Sequence, residues 1–250
     1  MRRAWPWAVL VLAGLGTWHF ALTLGIVSRA ALAGPEEVLQ SLPSVFSRGG
    51  NLDDVLSTLF KSGLAFLISV PCGVAVGFLV AFGGPMREPA GFVVDFLRSI
   101  PATALVPMFL IIYGTGDNSK VAVAVFSSGL VICLAAVSGF QSRNSTRLAV
   151  SQAMRLAGLR RVLLSDLPEA LPQIFIGLRA GVSLSLILVV VSEMLIGSNR
   201  GLGRVIADMR NTDDKGRLYA AILVTGLIGY GYNWLLAKIE KTVVHWRGLA

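Results

Sequence analysis

Residues 139 to 203 decide the fold. They open Gly139-Phe-Gln-Ser-Arg143 and carry basic residues from Arg147 to Arg161. They then turn through Asp166-Leu-Pro168-Glu-Ala-Leu-Pro172 and run apolar to Ser192-Glu193-Met194, closing on Gly201-Leu-Gly203. Arg143, Arg147, Arg155, Arg160 and Arg161 face only Asp166 and Glu169 in the first half, whereas the second half is long enough to cross a bilayer core at 1.5 Å per residue. A basic loop feeding an apolar span places that loop on the inner side of a membrane, because Lys and Arg are retained there.

The rest of the chain supplies the same setting. Of its 250 residues 54% are hydrophobic and 14% charged, which is the composition of an integral membrane protein. Several windows of about 20 mostly apolar residues are separated by short polar or Gly/Pro breaks, and period-two alternation is absent, so spanning helices are expected and a membrane barrel is not. The net charge of +8 belongs to the loops of an apolar chain; no nucleic-acid motif accompanies it, and no nucleic-acid partner is expected. Cys72 and Cys133 lie inside apolar runs as small packing residues.

Arg2 and Arg3 precede an apolar run from about Trp5 to Val27, followed by Ala31-Leu-Ala33. The run exceeds the roughly 7 to 15 residues of a signal-peptide core, so a retained first span is expected. Gly34-Pro35-Glu36-Glu37 then begins an amphipathic helix on the outer surface, ended by Gly49-Gly50. The second run, about Val55 to Phe82, holds Pro71 and the pair Gly73 and Gly77, which predicts a kink and a close helix approach. The third, about Ala90 to Tyr113, is interrupted by Asp95, Arg98, Pro101 and Pro107. Prolines and charges in lipid are tolerated where they face protein or a watery cavity, and Asp95 and Arg98 are spaced to pair on one helix face. They suit either a broken helix at such a cavity or the headgroup layer near Arg87. Gly114 to Lys120 forms a turn that lacks the spacing of a phosphate-binding loop. Spans are expected at about 121 to 137, 173 to 196 and 218 to 236, making about six in an all-α polytopic domain that occupies residues 1 to 250 with both termini inside. A helix-compatible stretch from about Thr146 to Leu164 has a leucine-rich face amid arginine, fit for anionic lipid or a partner's groove.

Taken together, Asp166-Leu-Pro168-Glu-Ala-Leu-Pro172, Ile176-Gly177-Leu-Arg179, Val189-Val-Val-Ser-Glu193-Met194-Leu195 and Gly197-Ser-Asn199-Arg-Gly201-Leu-Gly203 carry a resemblance. Leu97-Arg98-Ser-Ile-Pro101 and Val106-Pro107 add to it upstream. The chain resembles, over nearly its whole length, the permease subunit of a bacterial ATP-binding-cassette importer, in the branch that includes nitrate, sulfonate and taurine permeases. One place departs from the family, whose cytoplasmic motif begins Glu-Ala-Ala with a glycine six residues on. Counting back from Pro168 without gaps puts Ala149, Val150 and Ser151 at the triplet and Arg155 at the glycine. A three-residue shift offers Gln152-Ala153-Met154 and Gly158 instead.

The resemblance implies a type I importer permease fold in the bacterial inner (plasma) membrane, without its own ATPase motif. It implies a coupling segment within residues 139 to 172, with Gln152, Ala153, Arg155, Gly158, Leu159, Arg160 and Arg161 meeting a dimer of ATPase subunits. ATP and Mg would sit on those subunits, and this chain would bind no cofactor or metal of its own. It implies a second permease subunit, an identical copy being preferred to a different one, and a periplasmic or lipid-anchored solute-binding protein. Arg98, Pro101, Pro107, Ser183, Ser185 and Glu193 are the candidates for the translocation path. For Glu193 a contact with a docking protein and an interfacial helix-end carboxylate remain alternatives. Ser183 and Ser185 either line a cavity or bond back to their own helix. Arg200, Arg204 and Arg210 lie in a stretch expected outside, against the positive-inside tendency, and suggest a docking surface or an anion funnel. The solute would be a small sulfonate, inorganic anion or related nutrient.

The rival function is an ion-gradient-driven secondary transporter, which predicts paired intramembrane carboxylates or an inverted repeat, and neither is evident. A membrane enzyme is disfavoured because no metal-spaced cluster or nucleophile and base stand out.

Overall fold

The computed structural model describes residues 5–28, 31–47, 51–142, 151 and 153–245. Among them every regular element is helical. These are α1 (Trp5–Thr23), α2 (Pro35–Ser47), α3 (Asn51–Phe82), α4 (Arg87–Ser99), α5 (Val106–Tyr113), α6 (Asp117–Gln141), α7 (Gly158–Arg161), α8 (Leu167–Ile196), α9 (Leu202–Asn211) and α10 (Lys215–Val243). Tight 3-10 turns at Gly84–Met86 and Ala102–Leu105 precede α4 and α5, and a π turn at Val162–Asp166 runs into α8.

Four stretches, Leu52–Phe82, Asp117–Gln141, Val162–Ile196 and Lys215–Val243, are long and apolar enough to cross a membrane. The expected third span is instead two arms, Gly84–Ser99 and Ala102–Tyr113, bent by 87°. Counted as one span they make five, and the apolar part of α1, Val9–Thr23, is shorter than a full crossing. Among the described residues the count by length and composition is therefore four or five, against about six expected. The bend has a local cause. Pro101 has no N–H to continue the helix of α4 and restricts Ile100, which is extended at φ −74°, ψ 124°.

The centre of the bundle is α6, gripped between α3 and α8. Close approach is built from glycine on both sides. A Cβ at Gly73 would stand 2.7 Å from the Gly129 carbonyl, and one at Gly77 2.6 Å from Ala136 Cβ. On the opposite side Gly177 and Gly181 receive Ala135 and Ile132 in the same way. Two small-xxx-small faces thus clamp one helix, the arrangement that membrane helices use when apolar burial against lipid offers no net gain.

At the end of the bundle where α3 begins, Val38, Val45, Val55, Leu186, Val190, Leu202, Val205, Ile206 and Ala221 form one apolar cluster. This cluster buries one face of α2 against α10, so α2 is packed and not merely laid on a surface. Trp18 Nε1 donates to the Ala33 carbonyl at 3.1 Å and Tyr219 Oη to the Ala31 carbonyl at 3.1 Å, fastening the chain between α1 and α2.

Candidate functional site

Three places along the bundle carry polar chemistry, and the first is a buried knot around Glu193. Glu193 sits near the end of α8 with no exposed side-chain surface, and Lys61 reaches it from α3, itself 3% exposed. Lys61 Nζ stands 2.6 Å from Glu193 Oε1. Thr58 Oγ1 donates to Glu193 Oε2 at 3.0 Å, and the Gly203 N–H donates to the same oxygen at 2.9 Å. The knot extends outward from there. Lys61 donates to the Arg200 carbonyl at 3.0 Å, the Leu202 N–H to Thr58 Oγ1 at 2.9 Å, and the Gly201 N–H to Asp54 Oδ1 at 2.6 Å. Arg204 closes it with an ion pair to Asp54 at 3.0 Å and another to Asp208 at 3.1 Å.

Such a buried ion pair is tolerated only where its remaining lone pairs and protons are satisfied; here the Gly203 amide and the Thr58 hydroxyl serve Glu193, and the Arg200 carbonyl serves Lys61. Glycine is required on the loop side. Gly201 adopts φ +141°, and a Cβ there would run into the Glu193 carboxylate. The knot therefore ties α3, the end of α8 and the start of α9 into one unit.

Beside it lies a cleft of about 810 Å3 lined in part by Asp53, Ser57, Phe60, Asp117, Lys120 and Arg200. Lys120, 2% exposed on the first turns of α6, bonds Asp117 at 3.1 Å and Ser198 Oγ at 3.0 Å.

The second place is the break after α4. Arg98 and Asp95 form the expected i, i+3 pair, Nε to Oδ1 2.8 Å, on an exposed face. Pro101 caps the following turn, and Pro107 occupies the first turn of α5, where a missing N–H costs nothing. Ser183 Oγ donates to the Arg179 carbonyl at 3.1 Å and accepts from Asn233 Nδ2 at 2.9 Å. Ser185 Oγ donates to the Val182 carbonyl at 2.9 Å and is fully buried. Both serines thus bond back to α8. Arg179 pairs with Glu240 of α10.

The third place is the basic segment. Gln152 lies outside the described residues, as do residues 143–150 and the side chain of Leu159. Where the sequence is compatible with one helix over about 146 to 164, the described part is broken. Arg155 has φ +53°, and the Leu156 N–H donates to the Ser151 carbonyl at 3.0 Å. This six-to-one bond around a left-handed residue is a Schellman ending, whose left-handed position favours glycine. Arg155 thus holds the backbone conformation that suits the family's glycine under the ungapped count. Gly158 also has positive φ, +54°, and starts the one-turn α7 carrying exposed Arg160. Arg161 reaches the buried Asp166 at 3.6 Å. Ala153 and Arg155 are exposed.

Of the three arginines expected at a docking surface, Arg200 and Arg210 are exposed, whereas Arg204 is tied into the knot. Glu193 lies at the centre of the knot, inside packed protein. The sequence reading overlooked Lys61, Thr58 and Asp54. A lysine inside an apolar run was the available signal, because a charge there demands a partner. Among the described residues no group of His, Cys, Asp and Glu stands together to hold a metal ion.

A glycine-clamped bundle of long apolar helices with a broken span defines a polytopic helical membrane protein. The chain matches the model of the binding-protein-dependent transport system inner membrane component over residues 69–245, and it belongs to that family. It is 25% identical to the taurine transport system permease protein TauC of Escherichia coli, over 98% of this chain and 93% of that one. It is 26% identical to the nitrate import permease protein NrtB of Leptolyngbya laminosa, over 98% and 89%. Its fold is similar to a chain of the inward-facing MetNI methionine transporter, with a TM-score of 0.67 at 17% identity over 77% of this chain and 95% of that one. This protein is the permease subunit of an ATP-driven importer of the branch that holds the sulfonate, taurine and nitrate permeases.

Proposed function

We propose that the chain forms half of the membrane path of an importer for a small sulfonate or related anion in a bacterial inner membrane, working as a pair of identical copies. The observation that carries the solute class is the near-full-length similarity to TauC and NrtB. The end of the bundle bearing the knot faces outward, both termini face inward, and a periplasmic or lipid-anchored binding protein docks over the cleft beside Arg200. Arg210, on the exposed side of α9, extends that surface. The mix of Asp53, Asp117, Lys120 and Arg200 in the cleft supports a polar protein partner over a one-sign funnel.

Energy enters at the opposite end. A dimer of separate ATPase subunits holds ATP and Mg, and this chain binds neither. The basic segment, from Gln152 and Ala153 through Arg155, Gly158, Leu159, Arg160 and Arg161, docks into an ATPase cleft. Its short turns join rigidly to α8, so closure of the ATPases pulls on α8 and, through the glycine contacts, on α6 and α3. Nucleotide shifts access only to the extent that the ATPases hold the two states of the permease with different affinity.

The test has two arms. Arg160→Glu with Arg161→Glu is expected to abolish co-purification with the ATPase while leaving membrane insertion intact, and an unchanged complex would move the coupling contact elsewhere. Vesicles carrying the assembled transporter and binding protein should accumulate taurine, ethanesulfonate or nitrate with ATP. Uptake driven by an ion gradient without ATP would overturn the reading.

A further inference from the structure

At the break between α4 and the turn before α5 lies a cavity of about 250 Å3, bounded on the far side by the middle of α6 and by Leu184 of α8. Its size is below the roughly 300–1,000 Å3 of sites for drug-sized ligands, so its occupant is small. Most of the wall is apolar, with Pro101, Leu105, Phe126 and Leu184 among its residues. Two polar groups interrupt it, Arg98 and Ser127; Ser99, also in the wall, donates its hydroxyl to the Phe96 carbonyl at 2.7 Å.

Ser127 is 6% exposed, and its Oγ has no hydrogen-bond partner. Helical serines ordinarily bond back one turn, as the adjacent Ser128 does to the Ala124 carbonyl at 2.5 Å. Ser192 Oγ is also unpartnered, but Ser127, ten residues or about 15 Å along α6, borders the cavity, where a ligand atom can complete its bonding. Arg98 differs from Ser127 in being about half exposed. Its Nε meets Asp95, and of the five N–H donors of a guanidinium the others make no hydrogen bond to the described residues, so they remain available at the rim of the cavity. Asp95 borders a separate cleft with Arg87 and Glu88, so it contributes no carboxylate to this wall.

We propose that this cavity is a solute subsite for a small organic anion. The anionic head meets the Arg98 guanidinium and the Ser127 hydroxyl, and a short apolar body lies against Leu105, Phe126 and Leu184. The unwound backbone at Pro101 is tolerated at membrane depth because it borders this cavity. The inference rests on the importer reading and narrows its solute to an anion with a carbon body.

The experiment uses the assembled transporter with Cys72→Ala and Cys133→Ala as background. Ser127→Cys places a thiol in the cavity, and Ala102→Cys does so from the opposite wall should the first variant fail to assemble. Labelling is followed with two reagents of similar size, 2-sulfonatoethyl methanethiosulfonate and its 2-trimethylammonium counterpart. The sulfonate reagent is expected to react about 10-fold faster, because the Arg98 donors not taken by Asp95 give an anion a charge-assisted partner that the cation lacks. Arg98→Gln should bring the two rates together, and excess ethanesulfonate should slow labelling. Equal rates with Arg98 present, a ratio insensitive to Arg98→Gln, or no labelling at all would overturn the subsite. ATP-driven uptake by the unmodified transporter, measured in parallel, separates that result from failure of the importer reading.

Discussion

Lys61 Nζ and Glu193 Oε1 are 2.6 Å apart in a site where neither side chain has more than 3% of its surface exposed. The two residues come from the first third of α3 and the last turn of α8, separated by most of the chain, and between them they hold the loop that leads into α9. Of the ion pairs described, this one has both partners most deeply buried, and the loop geometry around Gly201 depends on it.

Removing one partner of such a pair leaves a charge stranded. Lys61→Met is expected to destabilise the protein by about 3–5 kcal/mol, because the Glu193 carboxylate loses its counter-ion inside packed protein. Adding Glu193→Gln should recover most of that loss, since the amide oxygen still accepts from Gly203 and Thr58. Thermal unfolding of the single and double variants in detergent checks this, and additive losses would show that the pair does not couple.

Gly201→Ala should be nearly as damaging although it changes one methyl group. At φ +141° an alanine is strained, and its Cβ would displace the Glu193 carboxylate. A loss of at least about 2 kcal/mol is expected from the strained backbone together with the disturbed buried pair. Insertion yield and melting temperature against a Gly197→Ala control measure it; at that glycine nothing crowds the added Cβ, leaving only its φ of +80°.

Arg155→Gly should stabilise the basic segment. A non-glycine residue in the left-handed region costs roughly 1–2 kcal/mol, and glycine relieves this while adding unfolded-chain entropy, for a net gain of about 0.5–1 kcal/mol. Protection of amides near Ser151 and Leu156 in hydrogen exchange reads this locally. Unchanged or weakened protection would mean that the arginine side chain contributes more than its backbone costs.

The apolar runs, the Gly73–Gly77 and Gly177–Gly181 spacings, the paired Asp95 and Arg98 and the prolines at 101 and 107 were all legible in the sequence, because each acts over a few residues. Hydropathy over 20 residues fixes a span, and glycine spacing fixes which helix face can be approached. Those local signals determined an all-helical membrane chain whose third run is interrupted by charges and prolines and, with the family motifs, its class. They did not say whether the third run bends or crosses straight. Pro101 breaks the helix locally, whereas the 87° between the two arms is reached where both pack on α6.

Tertiary structure alone brought Glu193 and Arg204 into one buried knot. In the sequence Glu193 is a lone carboxylate near a helix end, suited to the solute path, a docking contact or the interface, and Arg204 is one of several arginines suited to a docking surface or an anion funnel. Their partners Lys61, Thr58 and Asp54 lie more than 130 positions away along the chain. No periodicity reports such a pairing, because it is created when α3 and α8 close on α6 and exclude water from the charges between them.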